Sequence, residues 1–336
     1  MAEGAPEIGI VVIGRNERAG LADCIAALGP HRQRLIYADS ASTDGSAELA
    51  AQMGAVVVRL SNDRPLTPAR GRNAGFTALR EHWPACRFVQ FIDGDSVVDP
   101  AWIDAGAAFL RTNDRAAVVA GHCIEAFPDA SVYNWMCSEE WSTMLGLNAP
   151  YGGNAMIRTA ALDQAGLFRT DMKAGEEAEL AGRLRSLGWE TWRIEQPMVR
   201  HDAAITSFAQ WWRRAARGGF GYASAWSVTR DQLEPLYAAQ LRSAVLWVIG
   251  LPLVVCALSW VARAPWLLLA IPLAYAGQVA RIATRRGLGD MRSWRHAVLL
   301  MLAKIAETVG IIDYVFNGRR LLGALDPSVQ SPGRKP

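Results

Sequence analysis

The first hundred residues alternate short apolar runs with segments of helical spacing, and this alternation restricts the chain to few folds. Ile8–Ile13 is a continuous apolar run closed by Gly14, as expected of a strand buried on both faces of a parallel sheet. Leu21–Leu28 has helical spacing and stops at Gly29-Pro30. Arg34–Ala38 reads as a second strand, followed by a turn-rich stretch from Asp39 to Gly45. A helix over Ala47–Met53, a strand over Val56–Leu60, a helix over Ala69–Glu81 and a strand over Phe88–Ile92 complete the series. The order predicts an α/β fold with a doubly wound, Rossmann-like nucleotide-binding half. Beyond it, Val118–His122, Ala155–Ile157 and Trp189–Ile194 read as strands, and Glu177–Leu187 and Phe208–Ala216 as helices. Residues 128–150 show little period and read as a loop or irregular insert over a pocket. No internal repeat is visible.

The composition changes near residue 240. Ser243–Ala262 carries no charge over 20 residues, long enough to cross roughly 30 Å of hydrocarbon as a helix. Ala264–Ala280 is a second such run, so the two predict a helical hairpin with spans near 243–262 and 264–280. Arg230 and Arg242 precede it, and Arg281, Arg285, Arg286, Arg292 and Arg295 follow, which places both ends on the cytoplasmic side. The segment near 296–316 is apolar but contains Lys304, Glu307 and Asp313, a mixture expected of an interfacial helix. The expected organisation is a catalytic domain over 1–225, a membrane-associated helical region over 226–320 and a disordered tail over 321–336. The acidic, polar N-terminus lacks the pattern of a signal peptide, so the catalytic domain is expected at the cytoplasmic face of the inner membrane. Five scattered cysteines without a CxxC pair argue for reduced thiols. A net charge of +3 is too small to imply a nucleic-acid partner.

Phe88–Ile92 ends in Asp93-Gly94-Asp95, two carboxylates separated by one glycine. A turn accounts for this as well as a ligand site does when the motif is taken alone. As a ligand site, it suits a hard divalent ion, Mg²⁺ or Mn²⁺, that arrives with phosphates attached. Asp95 is then the direct metal ligand, and Asp93 contacts ribose or the water shell of the ion. Asp39 ends a strand where open α/β sheets bind ligands, whereas Asp44 reads as a turn or cap residue. Arg72, in a helix start rich in Arg and Gly, is a candidate for nucleotide contact. Glu176, Glu177 and Glu179 crowd one helix start; taken alone they read as an acidic N-terminus stabilised by the helix dipole, and otherwise as a place where mutual repulsion would favour a general base. His201 reads alone as a structural residue and otherwise as a candidate second metal ligand beside Asp95.

Taken in order, these features resemble the family 2 glycosyltransferases of the GT-A fold. The resemblance covers about residues 8–220 and rests on Asn16-Glu17 after the first strand, the Asp39–Gly45 segment, Gly71-Arg72-Asn73-Ala74-Gly75, Asp93-Gly94-Asp95, Gly152-Gly153-Asn154, Glu176-Glu177 and His201. It implies a GT-A catalytic domain with a mixed sheet, followed by the helical membrane segment. Asn16, Glu17, Asp39, Arg72 and Asp93 would bind the donor, with Asp39 and Arg72 at the nucleobase end. Gly152, Gly153 and Asn154 would lie on the acceptor side, and Asp95, Asp93 and His201 would hold Mn²⁺ or Mg²⁺.

Glu177 occupies the place of the family's catalytic base, usually Asp, with Glu176 as the fallback. The implied reaction is metal-dependent, inverting transfer from a UDP- or GDP-sugar to a membrane-associated acceptor, such as a lipid-diphosphate-linked saccharide or another glycan. Where processive members have Gln-x-x-Arg-Trp, this chain has Gln210-Trp211-Trp212-Arg213-Arg214, which weakens a polymer-synthase reading. Polyprenyl-phosphate transfer, a processive synthase and an inactive glycosyltransferase-like membrane scaffold remain as alternatives. A Rossmann dehydrogenase is disfavoured because no GxGxxG follows a predicted strand. The Trp211/Trp212 helix reads either as an interfacial anchor carrying Arg213 and Arg214 to lipid or as plain packing.

Overall fold

The computed structural model describes residues 7–142, 144–231, 235–287 and 290–318. The expected tail at 321–336 lies outside the described residues. The described chain divides into two compact units, residues 7–127 with 137–204 and residues 128–136 with 205–318. The division falls near 204, so the expected domain limit at 225 lies inside a helix of the second unit.

The first unit is built on a nine-stranded mixed sheet. Its strands are β1 (Ile8–Gly14), β2 (Leu35–Asp39), β3 (Val56–Arg59), β4 (Phe88–Asp93), β5 (Ser96–Val98), β6 (Ala116–Glu125), β7 (Gly146–Leu147), β8 (Ala155–Arg158) and β9 (Glu190–His201). The order is β3-β2-β1-β4-β8-β6-β9-β5, with β7 added on β9. The first four are parallel, and β8 runs antiparallel between β4 and β6. The helices up to residue 204, in chain order, are α1 (Arg18–Ala27), α2 (Ser46–Gln52), α3 (Pro68–His82), α4 (Trp102–Thr112), α5 (Val132–Trp141, whose residues 132–136 are assigned to the second unit), α6 (Thr159–Ala165) and α7 (Glu176–Ser186). The core is the apolar surface of β1, β2, β4, β6 and β8 with the helix faces covering it; Ile10, Val11 and Val12 are wholly buried, as their continuous apolar run required.

Three registers place the chemistry. Gly14 pairs with Asp39 and Ile13 with Asp93, so the carboxyl ends of β1, β2 and β4 meet at one edge, the position at which open α/β sheets bind ligands. Ser96 pairs with His201 across β5 and β9, which brings His201 beside Asp95.

The structure corrects several expectations. Residues 128–150 are not one irregular insert, because α5 occupies Val132–Trp141; its apolar side chains follow no clear helical period, so periodicity missed it. The strand read at Trp189–Ile194 continues to His201, and the helix read at Phe208–Ala216 continues to Thr229.

The second unit contains α8 (Phe208–Thr229), α9 (Ala238–Val245), α10 (Leu251–Val261), α11 (Ala270–Arg286) and α12 (Met291–Asp313). A π-helical turn over Leu246–Gly250 joins α9 to α10 in one continuous helix. Two helices, Ala238–Val261 and Pro265–Arg286, are long and apolar enough to cross a membrane. The segment expected to be interfacial lies in α12 and the turn after it. α12 buries Ala297, Leu299, Met301, Ala303 and Ala306 and packs along α8. Lys304 and Glu307 on α12 pair with each other at 2.8 Å. Gly219 on α8 meets the Glu307 carbonyl, and Gly310 on α12 meets the Ala216 carbonyl, so the two backbones touch where any Cβ would intrude. Ser207 and Gln210 form a capping box at the start of α8, which occupies Gln210 locally. Trp211 is buried against the Tyr133 ring rather than presented to a lipid surface.

Candidate active site

The turn after β4 is held from three sides. Gly94 donates its N–H to the Ile13 carbonyl at 2.8 Å, and Asp93 donates its N–H to Asn154 Oδ1 at 3.0 Å. Asn154 Nδ2 donates in turn to Ser96 Oγ at 3.3 Å. A Cβ on Gly153 would overlap both Arg72 and the Asp93 carboxylate, so a side chain here would displace that ion pair. Gly153 and Asn154, expected on the acceptor side, lie against the Asp93-Gly94-Asp95 turn.

Arg72, on α3, is 3 % exposed and meets three carboxylates: Glu176 at 2.8 Å, Glu177 at 3.1 Å and Asp93 at 3.2 Å. Its guanidinium lies over the Phe168 ring, 5.6 Å from the centroid. Asn73 holds the Phe168 backbone by two reciprocal hydrogen bonds, Nδ2 to the carbonyl at 2.8 Å and Oδ1 from the N–H at 3.0 Å. Arg72, expected at the nucleobase end, has its charge engaged in this structure by the candidate base and by the first residue of the Asp-Gly-Asp turn. Burial opposes its charge and the three carboxylates outweigh it, so its affinity for the proton rises. Glu179, counted with the crowded glutamates, is drawn off by Arg183 at 2.8 Å. Glu177 remains beside Glu176. Burial, and then the Glu176 charge, push its pKa up to about 7, against the opposing pull of Arg72.

Asp39 is 2 % exposed at the end of β2. Its Oδ2 accepts from the Ser42 N–H at 3.1 Å, while Oδ1 has no hydrogen-bond partner. A buried, unsatisfied carboxylate oxygen at a ligand-binding sheet edge points to a donor group supplied from outside. Asn16, at φ 60°, turns the chain after β1 and accepts from the Thr43 N–H at 2.8 Å. This hydrogen bond ties the β1 turn to the segment after Asp39. Asp44 accepts from the N–H groups of Arg18 and Ser46, each at 3.0 Å, and acts as a turn residue.

Asp95 Oδ1 lies 3.3 Å from His201 Nδ1. Burial would lower the His201 pKa, but Asp95 and then Asp93 raise it on balance. Glu17 stands nearby, its pKa pushed up to about 6 by burial first and then by Asp95 and Asp93. The thiol of Cys24 is pushed up to about 12 by burial and by the same carboxylates. After burial, the Asp95 and Asp93 charges contribute to all three shifts. Among the described residues no three His, Cys, Asp or Glu side chains form a ready-made metal cage. Asp95 with His201 suits an ion of the Mg²⁺ or Mn²⁺ kind, which takes one or two protein ligands and completes its shell with phosphate oxygens and water.

Beside this pair opens a cleft of about 370 Å³. Asp93, Gly152, Gly153, Asn154 and His201 line it, together with Tyr151, Trp141 and Arg193. The last three were not singled out in the sequence; the Trp-rich stretch at 128–150 was read only as covering a pocket. Trp141 packs against His201, with ring centroids 5.1 Å apart. The Tyr151 hydroxyl is buried with no hydrogen-bond partner.

The sequence model described as glycosyl transferase family 2 matches residues 9–163, and that described as glycosyl transferase family group 2 matches residues 88–279. Among solved structures, a mannosyltransferase from Pyrobaculum calidifontis in complex with GDP-Man and Mn²⁺ is similar at 18 % identity and a TM-score of 0.58, covering 91 % of this chain and 87 % of that one. Residues 1–349 of TarS from S. aureus align at 14 % identity and a TM-score of 0.48, covering 92 % and 91 %. At these identities the mannosyltransferase shows a shared fold. No match is found among curated proteins.

Proposed function

The chain belongs to glycosyl transferase family 2, and on that premise we propose that it transfers one sugar, with inversion, from a UDP- or GDP-sugar to a hydroxyl of a membrane-associated acceptor. It is a nucleotide-sugar-dependent glycosyltransferase with a GT-A domain. One observation carries the finer reading: Arg72 joins Asp93 of the donor-side turn to Glu176 and Glu177. The candidate base and the candidate donor site thereby belong to one ionic network.

In this reading Asp39 receives a nucleobase N–H or a ribose hydroxyl on its unsatisfied oxygen, and Asp93 faces the ribose–diphosphate end. Asp95 and His201, 3.3 Å apart, would hold the divalent ion, with Asp93 as the neighbouring carboxylate. A bound Mn²⁺ or Mg²⁺ supplies positive charge to the departing diphosphate. The GDP-Man and Mn²⁺ bound by the mannosyltransferase of similar fold make Mn²⁺ the first ion to supply. Glu177 takes the proton from the acceptor hydroxyl as that oxygen attacks the anomeric carbon, and Arg72 holds the carboxylate in place. The acceptor occupies the cleft beside Gly152–Asn154 and Trp141. Two helices long and apolar enough to cross a membrane support an acceptor at a bilayer; in this reading it is a lipid-diphosphate-linked saccharide at the cytoplasmic face of the inner membrane.

The test is a panel of UDP- and GDP-sugars with membranes containing the chain, with and without Mn²⁺ or Mg²⁺, followed by product analysis. One sugar added to a lipid diphosphate, abolished by chelation and by Asp95→Ala, is expected. Metal-independent turnover, or full activity in Asp95→Ala, overturns the site assignment. A lipid monophosphate product or a long polymer would overturn the acceptor assignment.

A further inference from the structure

The second unit contains a cavity of about 860 Å³, larger than the cleft of the first. It lies among the end of α8, α9 and the end of α12, and its volume falls within the range of small-molecule ligand pockets. Its walls are mostly apolar, with Ala223, Trp226, Leu241, Val245, Ile311 and Val315 among them. Its shape is fixed by Tyr314, which is buried, meets Phe220 edge-on at 5.3 Å and hydrogen-bonds the Ser227 hydroxyl. Two of the lining residues, Arg230 and Arg242, are exposed arginines. Among the described residues, Arg230 has only the exposed Asp231 as an ion partner, at 3.7 Å, and Arg242 has no carboxylate partner. An exposed pair at that distance leaves the guanidinium available to a better anion.

We propose that this cavity binds an anionic phospholipid, with an acyl chain among the apolar walls and the phosphate at Arg230 and Arg242. Charge and surroundings both favour that occupant. The arginines fork onto phosphate oxygens, and the helix that supplies Leu241 and Val245 continues as the first of the two membrane-length helices. A soluble anion would use the arginines and leave the apolar wall wet. An apolar peptide would use the wall and leave the arginines unpaired.

The proposal rests on the membrane association given above, and its test is arranged so that the two can fail separately. The full chain in neutral detergent micelles is titrated with phosphatidylglycerol or phosphatidylcholine, and retained lipid is counted by native mass spectrometry. Each arginine is worth about fivefold toward an anionic headgroup, so phosphatidylglycerol is expected to be retained roughly 25-fold over phosphatidylcholine. The double variant Arg230→Gln/Arg242→Gln, altered at exposed side chains, should lose that preference. Leu241→Trp, its fold checked by thermal unfolding, should reduce retention of both lipids. Equal retention of the two lipids by the unaltered chain overturns the proposal, as does a preference that survives in the double variant. Displacement of phosphatidylglycerol by equimolar isoprenyl phosphate also overturns it, assigning the cavity to an acceptor. Sedimentation with lipid vesicles independently reads whether the chain associates with membranes.

Discussion

At the scale of single residues, the site is organised around one guanidinium. Arg72 stands among Glu176, Glu177 and Asp93 in a place from which water is nearly excluded. Removing one partner from such a network leaves like charges facing each other in low dielectric. Arg72→Met is therefore expected to destabilise the folded chain by about 3–5 kcal/mol, read as a lower urea midpoint. Because Arg72 holds the Glu177 pKa down, the same substitution should also move the titration of Glu177 to higher pH. The carboxylates at Asp93 and Asp95 were legible because an apolar run ends abruptly on them. The task of Arg72 was not legible, because Glu176 lies 104 residues away and only the fold brings the two together. His201 was legible as a candidate ligand, but its partner depends on the pairing of β5 with β9. Trp141, Tyr151 and Arg193 carried no motif, so nothing marked them before the cleft was seen.

At the scale of elements, parallel strands announce themselves. β1, β2 and β4 are buried on both faces, and their runs predicted them within a residue or two at each end. α5 was missed because it lacks a strong apolar face, and β9 runs on through Pro197 to His201, beyond the stretch that predicted it. The close contact of α8 with α12 depends on glycines that no periodicity reveals. Gly219→Leu would drive a side chain into the Glu307 backbone, and separation of the helices should cost about 1–3 kcal/mol. Thermal unfolding of the variant measures it; an unchanged transition would mean that the two helices are not in contact there in solution.

At the scale of the whole molecule, a nucleotide-sugar transferase domain shares one chain with two helices of membrane length. Composition alone announced this, because charge disappears from the sequence at Ser243 and returns after Ala280 apart from Arg263. If those helices span, the chain should stay in the pellet when membranes are washed in alkaline carbonate; release into the supernatant would mean that it only lies on the surface. The account as a whole depends on Glu177 acting as the base. Its pKa of about 7 means that the proton-accepting form fills as pH rises through that value. The most direct test is the pH profile of single-turnover sugar transfer at saturating donor, for the unaltered chain and for Glu177→Gln. The account predicts a rate that climbs about tenfold per pH unit below pH 7 and levels above it. Glu177→Gln should lower the plateau by about 10²–10⁴-fold and remove the climb. A Glu177→Gln enzyme that keeps the plateau rate, or keeps the same acid limb, would contradict it.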